Sequence, residues 1–178
     1  MRETCSTKTR RFLFRRLQGN RWTWVISHVS SLAIQFDPIV GPVLPVSIMA
    51  VDADGNPTQI VGDQNDMHVF NGLLDTGASR TCISARVVSN VGLMPTGKIQ
   101  ILGVTGTKLV NEYRFGIGFL IAQAPQPTGE VTSQWEMMPI HGSFFDGSGS
   151  GFDVLIGRDI LCQGVFNMSF DGHVTFSR

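Results

Sequence analysis

The sequence predicts an all-β protein, a closed barrel or sandwich of short strands with one or two short helices. Two observations support this class. Glycine supplies 20 of the 178 residues, which is typical of a chain that turns often. Short apolar runs alternate with turn residues along most of the chain, and the segments with helical spacing are short. The 42% hydrophobic content is sufficient for one domain with a sizeable core.

The first predicted strand, Val43–Val51, is apolar and partly β-branched. Pro45 has no N–H for a sheet ladder, so we expect this strand to start after Pro45 or to lie at an edge. A turn with an Asp-Gly hairpin signal follows at Asp52–Pro57. The second strand, Met67–Leu74, is an apolar run that ends at Asp75.

The short strand Thr81–Ser84 leads into a predicted helix, Ala85–Val91, which Gly92 terminates. The remaining elements are predicted from apolar runs and the turn residues between them. They are a hairpin of Ile99–Leu102 and Thr107–Tyr113, a strand continuing to Ile121, a loop at Ala124–Gly129, a strand at Trp135–His141, a mobile loop at Gly142–Gly151, a buried strand at Asp153–Gly157, a helix at Arg158–Leu161, and a hairpin of Val165–Phe170 and His173–Phe176.

Charge divides the chain into a basic extension and an acidic body. Residues 1–21 contain seven basic side chains and one acidic one, a formal charge of +6, so the remainder of this neutral chain carries −6. The apolar stretch Trp22–Phe36 is shorter than the roughly 20 residues of a membrane-spanning helix. We expect residues 1–36 to be an N-terminal extension, either disordered, a membrane anchor or a mis-assigned start, and residues 37–178 to form the folded domain.

The three cysteines, Cys5, Cys82 and Cys162, have no metal-ligand spacing and cannot all pair in disulfides. Cys82 and Cys162 lie in largely apolar contexts, so we expect buried free thiols, which favour a reducing compartment. The sequence therefore predicts a cytoplasmic protein, or a membrane-anchored one if the extension is an anchor. No metal, phosphate or cofactor motif is found, and no cofactor is expected.

The segment Leu73-Leu74-Asp75-Thr76-Gly77-Ala78-Ser79 carries the chemistry. Two apolar residues lead directly into Asp-Thr-Gly, so a buried strand delivers a carboxylate onto a tight turn. Thr76 can lock that turn by hydrogen bonding, and Gly77 lets the backbone pass close. The same three letters alone would also fit an ordinary surface β-turn.

A second segment, Val154–Leu161, is an apolar run followed by Gly157 and a short helix, which alone would also suit a plain core strand. Asp159 is expected to cap that helix or to pair with a basic neighbour. The order of Asp-Thr-Gly, hairpin, apolar-apolar-Gly and helix resembles that of the retropepsin-like aspartic proteases. Gly157-Arg158-Asp159 is similar to the Gly-Arg-Asn/Asp of that family. The resemblance covers about residues 42–178 and looks closest to the single-domain bacterial members.

The resemblance implies a retropepsin-like barrel and a set of site residues. Asp75 would be the catalytic acid, with Thr76 and Gly77 as its turn. Viral members often have an acidic residue where this chain has Ser79, which leaves the partner of Arg158 open. The residues expected to bind substrate are Ala78, Ser79, Gly103, Val104, Thr105 and Gly106, the last four forming a flap tip. The supporting residues are Ile156, Gly157 and Arg158, the last of which would brace the site or the dimer.

Asp-Thr-Gly occurs once, whereas water-mediated hydrolysis in this family uses two carboxylates that share a proton. A symmetric homodimer would bring Asp75 and its mate together. We therefore expect an aspartic endopeptidase that acts on protein or peptide substrates, with no nucleic-acid partner and with membrane contact only through the extension. The alternative is a non-catalytic peptide-binding or dimerisation module of the same fold.

Overall fold

The computed structural model describes residues 31–36, 41–56, 58, 68–103, 106–125, 131–169 and 171–177. These ranges contain ten strands and two helices. In chain order the elements are β1 Ser31–Gln35, β2 Val43–Ala50, β3 His68–Leu74, β4 Cys82–Ile83, α1 Ala85–Val91, β5 Pro95–Gly103, β6 Gly106–Pro125, β7 Val131–Phe144, β8 Val154–Ile156, α2 Arg158–Leu161, β9 Val165–Met168 and β10 His173–Ser177.

Six strands form a closed barrel. They follow the order β2-β3-β8-β4-β7-β6, and β2 also pairs with β6, which closes the ring. Strand β5 extends the sheet beyond β6. The pairs β3–β8 and β4–β7 are parallel, and the other pairs of the ring are antiparallel. The predicted all-β class, with its short helices, is confirmed.

The barrel interior is filled by β-branched and aromatic side chains at alternate strand positions. On β6, Phe115 and Ile117 are fully buried. The residue between them, Gly116, lies on the other face, where an added Cβ would approach the side chain of Met49 at 3.1 Å. The fully buried core also includes Val46, Ile48, Ile83, Val87, Val154, Ile156 and Ile160.

The predicted helices are observed with their predicted bounds. Helix α1 ends at Gly92, whose φ of +71° is the left-handed conformation that glycine adopts at low cost. The strands of the β6–β7 hairpin are longer than predicted. The loop prediction was wrong at residues 124–125, which pair with β7, and at residues 142–144, which belong to β7. Pairing across the hairpin extends both strands past the point where local composition indicates a loop.

Pro45 lies inside β2 rather than before it, because the strand begins at Val43. Pairing of β2 with β6 starts at Val46, so at Pro45 the strand pairs with β3 alone. This part of β2 is locally an edge, as the missing N–H of proline requires. In the following turn, the Asp52 carboxylate accepts hydrogen bonds from the N–H groups of Asp54 and Asn56, each at 2.9 Å.

A second, three-stranded sheet has the order β1-β10-β9. Ser31 is paired with Ser177 and Gln35 with His173, so residues 31–35 of the predicted extension take part in a sheet. Residues 1–30 lie outside the described ranges, and the division at residue 36 stays a prediction. No helix in the described part of the chain is both long enough and apolar enough to cross a membrane.

Both cysteines within the described ranges are free thiols. Cys82 is half-buried on β4, whereas Cys162 is exposed directly after α2. The prediction of a buried thiol was therefore wrong for Cys162. The apolar residues before it, Ile160 and Leu161, are buried, but the chain turns outward at the end of this single helical turn.

Candidate active site

The barrel places Asp75 at the end of a buried strand. Leu74 is opposite Ile156 in the parallel β3–β8 pair. The Asp75 N–H continues this pairing by donating to the Ile156 carbonyl at 2.9 Å, and the Leu74 N–H donates to the Pro42 carbonyl at 3.0 Å. The start of the turn is thus held from both sides by backbone hydrogen bonds.

The Asp75 side chain organises its own turn. Its Oδ1 atom accepts hydrogen bonds from the N–H groups of Gly77 at 2.8 Å and Ala78 at 3.2 Å. Among the contacts of the described residues, these two bonds occupy one carboxylate oxygen and leave Oδ2 available. Asp75 is half-buried, while Thr76 and Gly77 are exposed. The carboxylate is therefore fixed in orientation but open to solvent on one side.

The three predicted supporting residues contact the Asp75 turn or the residues that follow it, and each does so through its own backbone. Besides the Ile156 carbonyl, the Arg158 N–H donates to the Ala78 carbonyl at 2.9 Å. Gly157 packs so closely on the next turn that an added Cβ would lie 2.5 Å from the carbonyl carbon of Arg80. The Arg158 side chain is exposed, and within the described residues its guanidinium forms no ion pair.

A hydrogen-bond network centred on Thr81 and Asp159 adjoins the Asp75 turn, and the sequence did not predict it. Thr81 is fully buried. Its N–H donates to Asp159 Oδ2 at 2.9 Å, and its hydroxyl donates to Asp159 Oδ1 at 2.8 Å. The same hydroxyl accepts from the Gly157 N–H at 3.1 Å. Asp159 also accepts from the Ile160 N–H at 3.0 Å. The helix N-cap is Gly157, so the prediction that Asp159 caps α2 was wrong. Among the described residues Asp159 also forms no ion pair with a basic side chain.

The Asp159 carboxylate joins α2 to the start of β4 because Thr81 offers it two donors in one place. The sequence contained a weak signal for this arrangement. A threonine directly before an apolar strand requires a hydrogen-bond partner when it is buried. Nothing in the sequence indicated that the partner lies 78 positions away.

The predicted flap corresponds to the β5–β6 hairpin. Gly103 is paired with Gly106, and the φ of Gly106 is +106°. Val104 and Thr105 lie outside the described residues, so their predicted substrate contacts stay predictions. Leu102 and Leu109 project from one face of the hairpin and are 84% and 63% exposed.

Cys82 adjoins the site without the properties of a nucleophile. Its sulfur lies 3.2 Å from the Ser143 hydroxyl. Burial raises the pKa of the Cys82 thiol, and this outweighs the hydrogen bond with Ser143, which lowers it; the negative charges of Asp159 and Asp75 add to the increase. Because the thiolate is the reactive form, this cysteine is protected by its surroundings. No group of three or more His, Cys, Asp or Glu side chains converges as a metal site within the described ranges.

Comparison with solved structures identifies the architecture. The chain is similar to the crystal structure of a retropepsin-like aspartic protease from Rickettsia conorii, with a TM-score of 0.51 and 13% sequence identity. The match covers 84% of this chain and 91% of that one. The fold is retropepsin-like. No family model matches the sequence, and no curated protein matches it.

The retropepsin-like fold accounts for the arrangement of strands around Asp75. The similarity spans nearly the whole length of the Rickettsia protein, so it includes the barrel and not only one hairpin. At 13% identity it establishes the fold alone. The chemistry of this chain must therefore be argued from its own residues.

Proposed function

We propose that this chain is a retropepsin-like aspartic endopeptidase of the bacterial single-domain type, active as a homodimer. The observation that carries the proposal is the Asp75 turn. A buried strand delivers the carboxylate, the amides of Gly77 and Ala78 fix one of its oxygens, and the other remains available. A rigid, hydrogen-bonded and partly exposed carboxylate is what acid–base catalysis on a bound water requires.

The need for a second copy follows from the number of carboxylates. Peptide hydrolysis through one water uses an ionised acid to take a proton and a protonated acid to give one. The acid of the adjacent network, Asp159, is occupied by donors from Thr81 and Ile160. No other carboxylate contacts Asp75 among the described residues. A twofold axis beside this turn would supply the second acid as Asp75 of another copy.

In the proposed mechanism the two Asp75 carboxyl groups share one proton. The ionised group accepts a proton from the water as the water oxygen attacks the peptide carbonyl carbon. The protonated group donates to the carbonyl oxygen, and proton transfer to the leaving nitrogen then completes cleavage. The pair would titrate in two steps, because like charges held close together cannot both ionise freely.

The proposed substrate is a peptide in extended conformation, bound between the Asp75 turn and the β5–β6 hairpin. Ala78 uses both its N–H and its carbonyl within the fold. Gly77 and Ser79 are both exposed. The Gly77 N–H is taken by Asp75, so the Gly77 carbonyl and the Ser79 backbone are better placed to pair with a peptide than Ala78 is. The free thiols of Cys82 and Cys162 favour a reducing, cytoplasmic setting for this activity.

The decisive experiment measures cleavage and association together. Purified chain is incubated with casein or a peptide library from acidic to neutral pH, with and without a statine-type inhibitor. Sedimentation of the same samples reports the oligomeric state. We expect inhibitor-sensitive cleavage only under conditions where the dimer forms. A dimer that binds peptides without cleaving them at any of these pH values would instead support the non-catalytic binding module.

A further inference from the structure

Glu112 lies where the β5–β6 hairpin leaves the barrel. It is opposite Gly97 on β5 and opposite Ser143 on β7, and it is the first residue of β6 that pairs with β7. Within the described chain, residues 106–111 pair with β5 alone. Residues 98–103 and 106–111 thus form a two-stranded projection. The direction in which it extends depends on the contacts at its base, where Glu112 lies.

Arg80 is fixed by its packing against the residues after β8. Its backbone packs against Gly157 so tightly that a Cβ on that glycine would lie 2.5 Å from the Arg80 carbonyl carbon and 2.9 Å from its nitrogen. The next residue, Thr81, is bound to Asp159. Arg80 therefore extends its side chain from the same rigid segment that carries Asp75.

The two residues meet in an ion pair. Arg80 Nη1 donates to Glu112 Oε1 at 2.7 Å, and the two side chains are 42% and 23% exposed. This distance is at the short end for a charge-assisted hydrogen bond. Partial burial of Glu112 reduces the screening that weakens ion pairs on open surfaces.

We propose that Arg80 and Glu112 are positioning residues that hold the base of the β5–β6 hairpin against the segment following Asp75. The ion pair fixes the direction in which the projection extends over the site. The geometry of the hairpin above a bound peptide therefore depends on a contact that does not touch the peptide. That a peptide binds there rests on the proposed function. The ion pair between Arg80 and Glu112 is present in the protein without a peptide.

The test measures hydrogen exchange of the hairpin amides in the protein without substrate. Arg80→Met and Glu112→Gln remove one charge each and retain side-chain length. We expect either variant to increase exchange of amides in residues 98–103 and 106–111 by about twofold to fivefold, the range for a partly exposed ion pair. The double variant should show no further increase, because the two residues act through one contact.

The chain contains a matched control in a second ion pair. Arg86 Nη1 lies 3.1 Å from Asp153 Oδ2 and joins α1 to the residue before β8. Arg86→Met should reduce stability without changing exchange in the hairpin. Unchanged hairpin exchange in Arg80→Met, or single effects that simply add in the double variant, would overturn the proposal.

Peptide cleavage provides a second readout. We expect Arg80→Met to raise KM by about the same factor as the exchange rate and to leave kcat within about twofold, because hairpin orientation affects binding. A wild-type KM in an active Arg80→Met enzyme would overturn the proposal. If the wild-type chain cleaves no peptide at all, the proposed function fails, while the exchange data still decide whether the ion pair positions the hairpin.

Discussion

The fully buried Thr81 donates a hydrogen bond of 2.8 Å from its hydroxyl to the half-buried Asp159 carboxylate, 78 positions away in the sequence. The same hydroxyl accepts the Gly157 N–H, so one side chain joins the start of β4, the end of β8 and the first turn of α2. All three segments adjoin the Asp75 turn: β8 and α2 form backbone hydrogen bonds with it, and β4 follows it in the chain. The geometry of the Asp75 turn therefore depends on a threonine that lies outside the turn itself.

Replacement of Thr81 by valine should destabilise the protein. The variant keeps the volume of the side chain but leaves the buried Gly157 N–H without its acceptor, and the Asp159 carboxylate loses one of its donors. An unsatisfied buried polar group costs about 1–3 kcal/mol. Urea unfolding should show a decrease of that size, whereas Thr107→Val on the exposed hairpin should change the free energy of unfolding by less than about 0.5 kcal/mol. Equal effects at both positions would argue against the network.

Alanine should be poorly tolerated at position 157 and well tolerated at position 151. A Cβ on Gly157 would meet three backbone atoms of Arg80 at 2.5–2.9 Å, whereas a Cβ on Gly151 would meet no atom within 4 Å. Overpacking of this kind costs about 1–3 kcal/mol. We expect Gly157→Ala to lower the thermal unfolding midpoint and to reduce cleavage, and Gly151→Ala to do neither. Normal stability in Gly157→Ala would show that the Arg80 backbone can shift.

Asp75→Asn should retain the fold and lose cleavage. The asparagine carbonyl can still accept the N–H groups of Gly77 and Ala78, so the turn has no reason to open. It cannot take a proton from water, and loss of acid–base catalysis lowers rates by about 10²–10⁴-fold. Asp54→Asn in an exposed turn is the matched control. Cleavage by the Asp75→Asn protein at the wild-type rate would refute the proposed mechanism.

The β9–β10 turn should weaken in acid. A hydrogen bond from the Ser169 hydroxyl, aided by His173, lowers the pKa of Asp171 from 3.8 to about 2. A carboxyl whose pKa is lowered by folding contributes stability above its unfolded pKa and loses it as pH falls through the folded value. The difference in urea midpoint between wild type and Asp171→Asn should thus be fully present near pH 5 and shrink between about pH 4 and pH 2. A constant difference down to pH 2 would contradict this assignment.

The two free thiols should differ in reactivity. Burial raises the pKa of Cys82, whereas Cys162 is exposed after α2. Since alkylation requires the thiolate and access to it, iodoacetamide should label Cys162 before Cys82 in the folded protein. Peptide mapping after brief labelling distinguishes the two sites. Equal labelling in urea provides the control, and faster labelling of Cys82 under native conditions would contradict the prediction.

Local signals predicted several elements of the barrel and its helices. Gly92 stops α1 because its left-handed conformation is built into the residue type. The apolar run before Gly157 predicts β8 because such a run must be buried. In each case the residues that determine the element lie within it or directly beside it, so the element can be predicted from a single sequence.

The rest of the site depends on contacts between distant positions. Thr81 with Asp159 and Arg80 with Glu112 join positions 78 and 32 apart, and no local pattern identifies such partners. The lengths of β6 and β7 were mispredicted for the same reason. Each strand continues only while the other is paired with it, and local composition does not show how far that pairing extends. Sequence reasoning thus predicted the carboxylate and its turn, but not the side chains that fix them in place.

The pairing of Ser31–Gln35 with β10 has a consequence for biosynthesis. The first strand of the described chain emerges from the ribosome long before its partner at residues 173–177 has been made. Until then its hydrogen-bonding groups are open to any neighbouring strand, and such edges promote aggregation. A translation product interrupted before residue 173 would lack the partner of Ser31–Gln35, and we expect it to aggregate more readily than the full chain.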